Sequence, residues 1–177
     1  MPGQSRPKVS HEVQARVFFR DNWLCRWCKV PVVFASTFRL LRELAVEAGG
    51  DPSPAYFHRN WSRRSAPLLD QLGAVVDHVE AYSKGGVHGE ENFVTACNKC
   101  NARKNNRAAS DHTRDHPPKA IRGKYGEPVE WDGMVSVFLA LAKNGATLTV
   151  TERRWASAFK GILAERAPLR PPGNIKQ

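Results

Sequence analysis

Four cysteines in two C-x-x-C pairs constrain this chain more than any other feature. They are Cys25-Arg26-Trp27-Cys28 near the start and Cys97-Asn98-Lys99-Cys100 past the middle, and no cysteine is left over. Either pair alone reads as a redox dithiol. Two pairs together read as the corners of a tetrahedral zinc site. A disulfide framework belongs to a secreted chain, and the first ten residues are polar, without the apolar stretch of a secretion signal. No apolar run approaches the length of a membrane span. The expectation is a cytoplasmic protein with no membrane partner, its distant segments stapled by Zn²⁺.

At 177 residues and 41% hydrophobic content, the chain can bury one good core, or one core and a small satellite. Its balance of 27 Lys and Arg against 17 Asp and Glu, a net charge of +10, suits a polyanionic partner. A solvated basic surface would give the same count, so charge alone does not decide.

Residues 1–9 are rich in Pro, Gly and Lys and read as disordered. Ser10 can cap a helix from His11 to about Asp21, with Val13, Val17 and Phe18 on its apolar face. Trp23 to Val33 reads as a zinc knuckle. Ser36-Thr37 offers a second cap, ahead of Phe38, Leu41, Leu44, Ala45 and Ala48 at helical spacing, and Gly49-Gly50 stops that helix. Tyr56 to Arg64 (YFHRNWSRR) interleaves aromatic and basic residues: it either lies on a nucleic-acid strand or packs on the core. Leu68 to Leu72 allows one more helical turn. Val75–Val79 and Phe93–Ala96 read as strands, and Asn98–Arg107 as a helix rich in Lys and Arg. Residues 111–130 form a linker or surface loop. A helix capped by Asp132 runs to Lys143, burying Met134, Val135, Phe138, Leu139 and Leu141. A last helix, capped by Thr151, runs to about Arg166 with Trp155, Phe159, Ile162 and Leu163 on one face. Residues 168–177 read as a frayed tail. The division expected is a domain over residues 10–110, with an insertion at about 36–70, and a helical segment over 131–167.

The segment from Val75 to Lys104, VVDHVEAYSKGGVHGEENFVTACNKCNARK, carries the chemistry. Asp77-His78 closes an apolar run, Gly85-Gly86 and Gly89 loosen the following loop, and Asn92 precedes the C-x-x-C-N of Cys97 to Asn101. Thirteen residues separate His78 from Asn92 and eight separate Asn92 from Asn101. In this order the segment resembles the HNH endonuclease family. The resemblance runs from about Arg16 to Arg107 and includes RVFFRDNWLCRWC ahead of the first cysteine pair.

The resemblance implies an α+β fold: a small ββα-metal (His-Me finger) nuclease core, stapled by a Cys₄ zinc site, with added helices. It implies His78 as general base, and an imidazole suits that work near neutral pH. Asp77 and Asn101 would hold a catalytic Mg²⁺ or Mn²⁺, as hard oxygen donors do; many members carry His in place of Asn101. Strand neighbours point to opposite faces, so Asp77 and His78 can share one site only where the strand bends or ends. Asn92 would tether the loop and help orient the base. Cys25 and Cys28 would close against Cys97 and Cys100 in a structural zinc cage with no open coordination position. Lys84, Lys99, Arg103, Lys104 and Arg107 are candidate DNA-phosphate contacts, against the alternative of a solvated helix face. His88 reads as a surface or phosphate-contacting residue rather than a ligand. Two departures stand out: about fifty residues separate Cys28 from Asp77, and Ala81 stands where the family often has Pro.

The resemblance thus implies a bacterial or phage enzyme that hydrolyses DNA, most simply double-stranded DNA, by a divalent-metal-dependent reaction. It nicks one strand per site, and a homodimer or two encounters would break both. The alternatives are a catalytically silent, zinc-stapled DNA-binding module, or an interaction protein whose helices after Trp131 dock a partner.

Overall fold

The computed structural model describes residues 7–50, 72–112, 121–122, 124, 127 and 129–166. The expectations for YFHRNWSRR, for both chain ends and for most of residues 111–130 lie outside the described residues.

Helix α1 (His11–Arg20) begins where the Ser10 hydroxyl accepts a hydrogen bond from the Val13 N–H at 3.3 Å. It buries Ala15, Val17, Phe18 and Phe19. Asn22 and Trp23 both adopt positive φ, 51° and 54°, which turns the chain and drops the Trp23 indole against Phe18 and Phe19. Gly133 lies directly over that indole: a Cβ there would sit 2.1 Å from the ring. The knuckle follows. Leu24 bridges Pro31, the Cys25 N–H donates to Val30 O, and the Arg26 N–H donates to Thr95 O at 2.8 Å.

Helix α2 (Ala35–Glu47) starts one residue before the expected cap, and no side chain caps it. Thr37 is instead buried, and its hydroxyl donates to Met134 O. That contact turns Thr37 and Leu40 inward and leaves Leu44 40% exposed, so the inward stripe is displaced from the one the spacing suggests.

Strands β1 (Ala74–His78) and β2 (Phe93–Cys97) pair antiparallel, Ala74 opposite Cys97 and His78 opposite Phe93. They match the predicted strands to within a residue. β2 is buried along its whole length, held on α1 by Thr95 N–H to Asp21 Oδ2 at 2.7 Å and by Arg20 Nη2 to Phe93 O at 2.6 Å. Helix α3 (Asn98–Lys104) follows without a loop. Cys97 caps it, its Sγ accepting from the Cys100 N–H, and Asn105 ends it at φ 50°. The predicted helix extends to Arg107; Asn105, turned into positive φ, stops it sooner.

Helix α4 (Val135–Lys143) has Met134 at its N-cap position, and Asp132, two residues earlier, bonds the helix start, its oxygens accepting from the Met134 and Ser136 N–H groups. Helix α5 (Val150–Arg166) is capped by Thr149 rather than Thr151. The Thr149 hydroxyl accepts from the Glu152 N–H while the Glu152 carboxylate accepts from the Thr149 N–H and O–H, a reciprocal capping box. The C-terminal helices share the core of the rest. Phe159 touches Phe19, Trp23, Phe34 and Phe138, and Trp155 stacks near Phe18 and Phe34. Packing on the core thus accounts for most of the apolar surface on these helices.

A partly buried ion pair ties α2 to α5. Arg39 donates through Nε and Nη2 to the two oxygens of Glu152 at 2.5 and 2.6 Å. Burial alone would raise the Glu152 carboxyl, but Arg39 and Thr149 hold it below the ordinary carboxylate value. Replacing Arg39 with Met leaves that charge with the Thr149 donors alone. The expected loss is about 3–5 kcal/mol, read as a lower denaturant midpoint at neutral pH.

Candidate active site and zinc centre

The Arg26–Thr95 contact brings the two C-x-x-C pairs face to face. The four sulfur atoms all lie within 4.8 Å of one another, and among the described residues this is the one cluster of three or more Cys, His, Asp or Glu that could hold a metal. Tetrahedral zinc with bonds of about 2.3 Å would set its sulfurs about 3.8 Å apart, so the cage fits the ion expected. Four soft donors and no oxygen favour Zn²⁺ over Mg²⁺. The thiols also compete for protons. Hydrogen bonding from Cys100 draws the Cys25 thiol down to about 7 and the Cys28 thiol lower still. Cys100 is driven up by its contacts with Cys25 and Cys28; Cys97 is pulled down by Cys100 but pushed further up by the other two. Four thiolates cannot share one cage without a cation to hold them.

From this cage α3 runs back across the hairpin and brings Lys104 to the end of β1. Lys104 is fully buried. Its ammonium donates to His78 O at 2.6 Å, lies 3.7 Å from Asp77 Oδ2 and stands 5.3 Å over the Trp27 ring. This lysine points inward, and the surface position expected for a phosphate contact does not apply to it: the ammonium is spent on the strand end.

Asp77 is buried beside it. Oδ2 accepts from Trp27 Nε1 at 3.0 Å and Oδ1 from the His78 N–H at 2.8 Å. His78 faces different neighbours. Its ring meets Phe93 edge-on at 4.8 Å and His88 at 5.3 Å, with Tyr82 beyond at 6.3 Å. The alternation of strand side chains therefore holds, and β1 ends at His78. Asn101 is half-buried on α3, three residues before Lys104 and so on the same helix face. It lines an open groove of about 860 Å³ together with Val75, Val76, Lys8 and Arg154.

The loop between the strands is closed by Asn92. Its Oδ1 accepts from the Glu80 N–H, and its Nδ2 donates to Glu80 O and Val87 O, each at 2.9 Å. Gly86 passes so close that a Cβ would sit 2.1 Å from Glu80 O. This clip delivers His88 to His78, with Nδ1 of His88 3.3 Å from Nε2 of His78. The sequence alone leaves His88 on the surface. The signal available is its place within a loop whose two ends a single Asn can join.

The remaining basic candidates face outward. Lys84, Arg103 and Arg107 are exposed and Lys99 is half-exposed. Arg103 and Arg107 line a second open groove of about 880 Å³ at the far end of α3.

A two-stranded antiparallel hairpin followed directly by a helix, with a four-cysteine cluster at the helix start that could hold a metal, defines a ββα unit. Residues 68–107 match the family model described as HNH endonuclease. No curated protein and no solved structure matches the chain. No described helix is long and apolar enough to cross a membrane.

Proposed function

We propose that the protein is an HNH endonuclease that hydrolyses DNA phosphodiester bonds in a divalent-cation-dependent reaction, with His78 as general base. The observation that carries this reading is the hairpin itself: it holds His78 at the end of β1, next to a loop clipped by Asn92 and beside the helix that starts at the cysteine cluster. Water attacks phosphorus as a ring nitrogen of His78 takes its proton. The P–O3′ bond breaks, and the 3′ oxygen is protonated from solvent.

Asp77 and Asn101 are the residues that would hold Mg²⁺ or Mn²⁺. Trp27 and the His78 N–H fix the orientation of the Asp77 carboxylate, a group with about four lone-pair sites, and amide and carboxylate oxygens are donors such hard ions accept. The bound cation supplies charge neutralisation at the scissile phosphate. Asn92 contributes by keeping the loop closed. Lys84, Lys99, Arg103 and Arg107 would hold the DNA backbone. One site nicks one strand.

Purified protein incubated with supercoiled plasmid should produce open circles in Mg²⁺ or Mn²⁺ and none in EDTA. A protein that shifts the plasmid on a gel but never cuts it, modified DNA included, is a binding module and not this enzyme.

The basic residues divide into two classes by burial, and their variants should separate likewise. Arg107→Ala should weaken DNA binding across sequences and lower the salt slope by about 1, with no change in melting temperature. Lys104→Met should leave Asp77 short of its cation and cost about 3–5 kcal/mol of stability with an unchanged salt slope. Fluorescence anisotropy at several salt concentrations and thermal melts distinguish the two.

A further inference from the structure

The proposed base has a second imidazole against it that the hydrolytic step leaves unused. His78 is 2% exposed, and its Nε2 faces Nδ1 of His88 at 3.3 Å. The His88 ring is itself fixed, edge-on to Phe93 at 5.1 Å and to Tyr82 at 5.8 Å. Its backbone is fixed by the Asn92 side chain, which holds the carbonyl of the preceding residue, Val87.

Two nitrogens that face each other share one proton, and which ring owns it decides what His78 can do. If His88 donates, Nε2 of His78 accepts, and the neutral His78 ring carries its hydrogen on Nδ1; no lone pair remains to take a proton from water. If His78 donates from Nε2, its Nδ1 is the nitrogen with the lone pair. We propose that His88 is a positioning residue that accepts the Nε2–H of His78 at its own Nδ1, locking the His78 ring in the tautomer and orientation in which Nδ1 is the basic nitrogen. The inference rests on the reading of His78 as general base. It also gives Asn92 a route to the chemistry: the clip on Val87 O places His88, and His88 sets His78. A base oriented by a third group is a recurrent arrangement, and here an imidazole takes the place often held by a carboxylate.

The test uses the full-length, zinc-loaded protein labelled with ¹⁵N, with ring nitrogens read by long-range ¹H–¹⁵N NMR above the imidazole titration range. Wild-type His78 should show a protonated Nε2 and an unprotonated Nδ1. His88→Ala should give mixed tautomers at His78 and a kcat lower by about 10–100-fold at little changed KM. His88→Asn, whose amide oxygen can accept from the same N–H, should restore the tautomer and most of the rate. A wild-type His78 protonated on Nδ1 overturns the proposal. So does a His88→Ala protein that keeps both tautomer and kcat. Should the wild type cut no DNA, the proposed function falls, and the tautomer measurement still decides the role of His88. Should His88→Ala fail to fold, the wild-type spectrum and His88→Asn decide it.

Discussion

Replacing His78 with Ala is expected to lower plasmid nicking by about 10²–10⁴-fold, the range contributed by a positioned general base, while zinc content and the circular dichroism spectrum stay near wild type. The backbone argues that the fold survives. Lys104 bonds the carbonyl of residue 78 rather than its ring, and the β1–β2 register at His78 and Phe93 is made by main chain. What disappears is the imidazole, its contact with Phe93 and the partner of His88. Initial rates in Mn²⁺ at saturating plasmid are the measurement. A variant that nicks at the wild-type rate removes His78 from the chemistry.

Stripping zinc, or substituting Cys100→Ser, should have the largest effect on stability. Structural zinc contributes an apparent 10–16 kcal/mol or so in small metal-folded peptides near neutral pH, and whole domains are stable by only about 5–15 kcal/mol. The cage joins the knuckle to the cap of α3. Without it the Cys97 cap, the helix bearing Asn101 and the seat of Lys104 all lose their anchor. A strong chelator should abolish the cooperative melting transition and release one zinc per chain to a colorimetric dye. Because the cysteines must lose protons to bind, acid should release the metal as well. A chelated protein that melts at the temperature of the holo form would mean the four sulfurs are not a structural site.

Much of the central unit is legible in the sequence because its signals are local or strictly spaced. Two C-x-x-C pairs, a short apolar run ending in Asp77-His78 and a C-x-x-C-N helix start leave little freedom. Ser10 caps as expected, and Asp132 bonds the start of its helix from two residues before the N-cap Met134, because each acts within a few residues of itself. Most of the misreadings concern contacts between distant residues. Nothing near Arg39 announces Glu152, and nothing near Thr37 announces Met134 O. Lys104 has the composition of a solvated helix face, and only the packing of α3 over β1 shows its ammonium to be buried. His88 is ten residues from His78 along a glycine-rich loop, and the loop's closure by Asn92, not its composition, brings the rings together. Thr149 and Thr151 each precede part of the last helix, and the choice between them turns on Glu152 lying three residues after Thr149.

The cage has a consequence for how such a chain can change over time. A metal held by the four cysteines would lock Cys28 to Cys97 whatever lies between them, and the cost of closing a flexible loop grows only by about 0.6 kcal/mol for each doubling of its length. Against the stabilisation expected from zinc, that is a small increment. A change in the number of residues between Cys28 and Cys97 therefore costs little against what a metal at the cage would contribute.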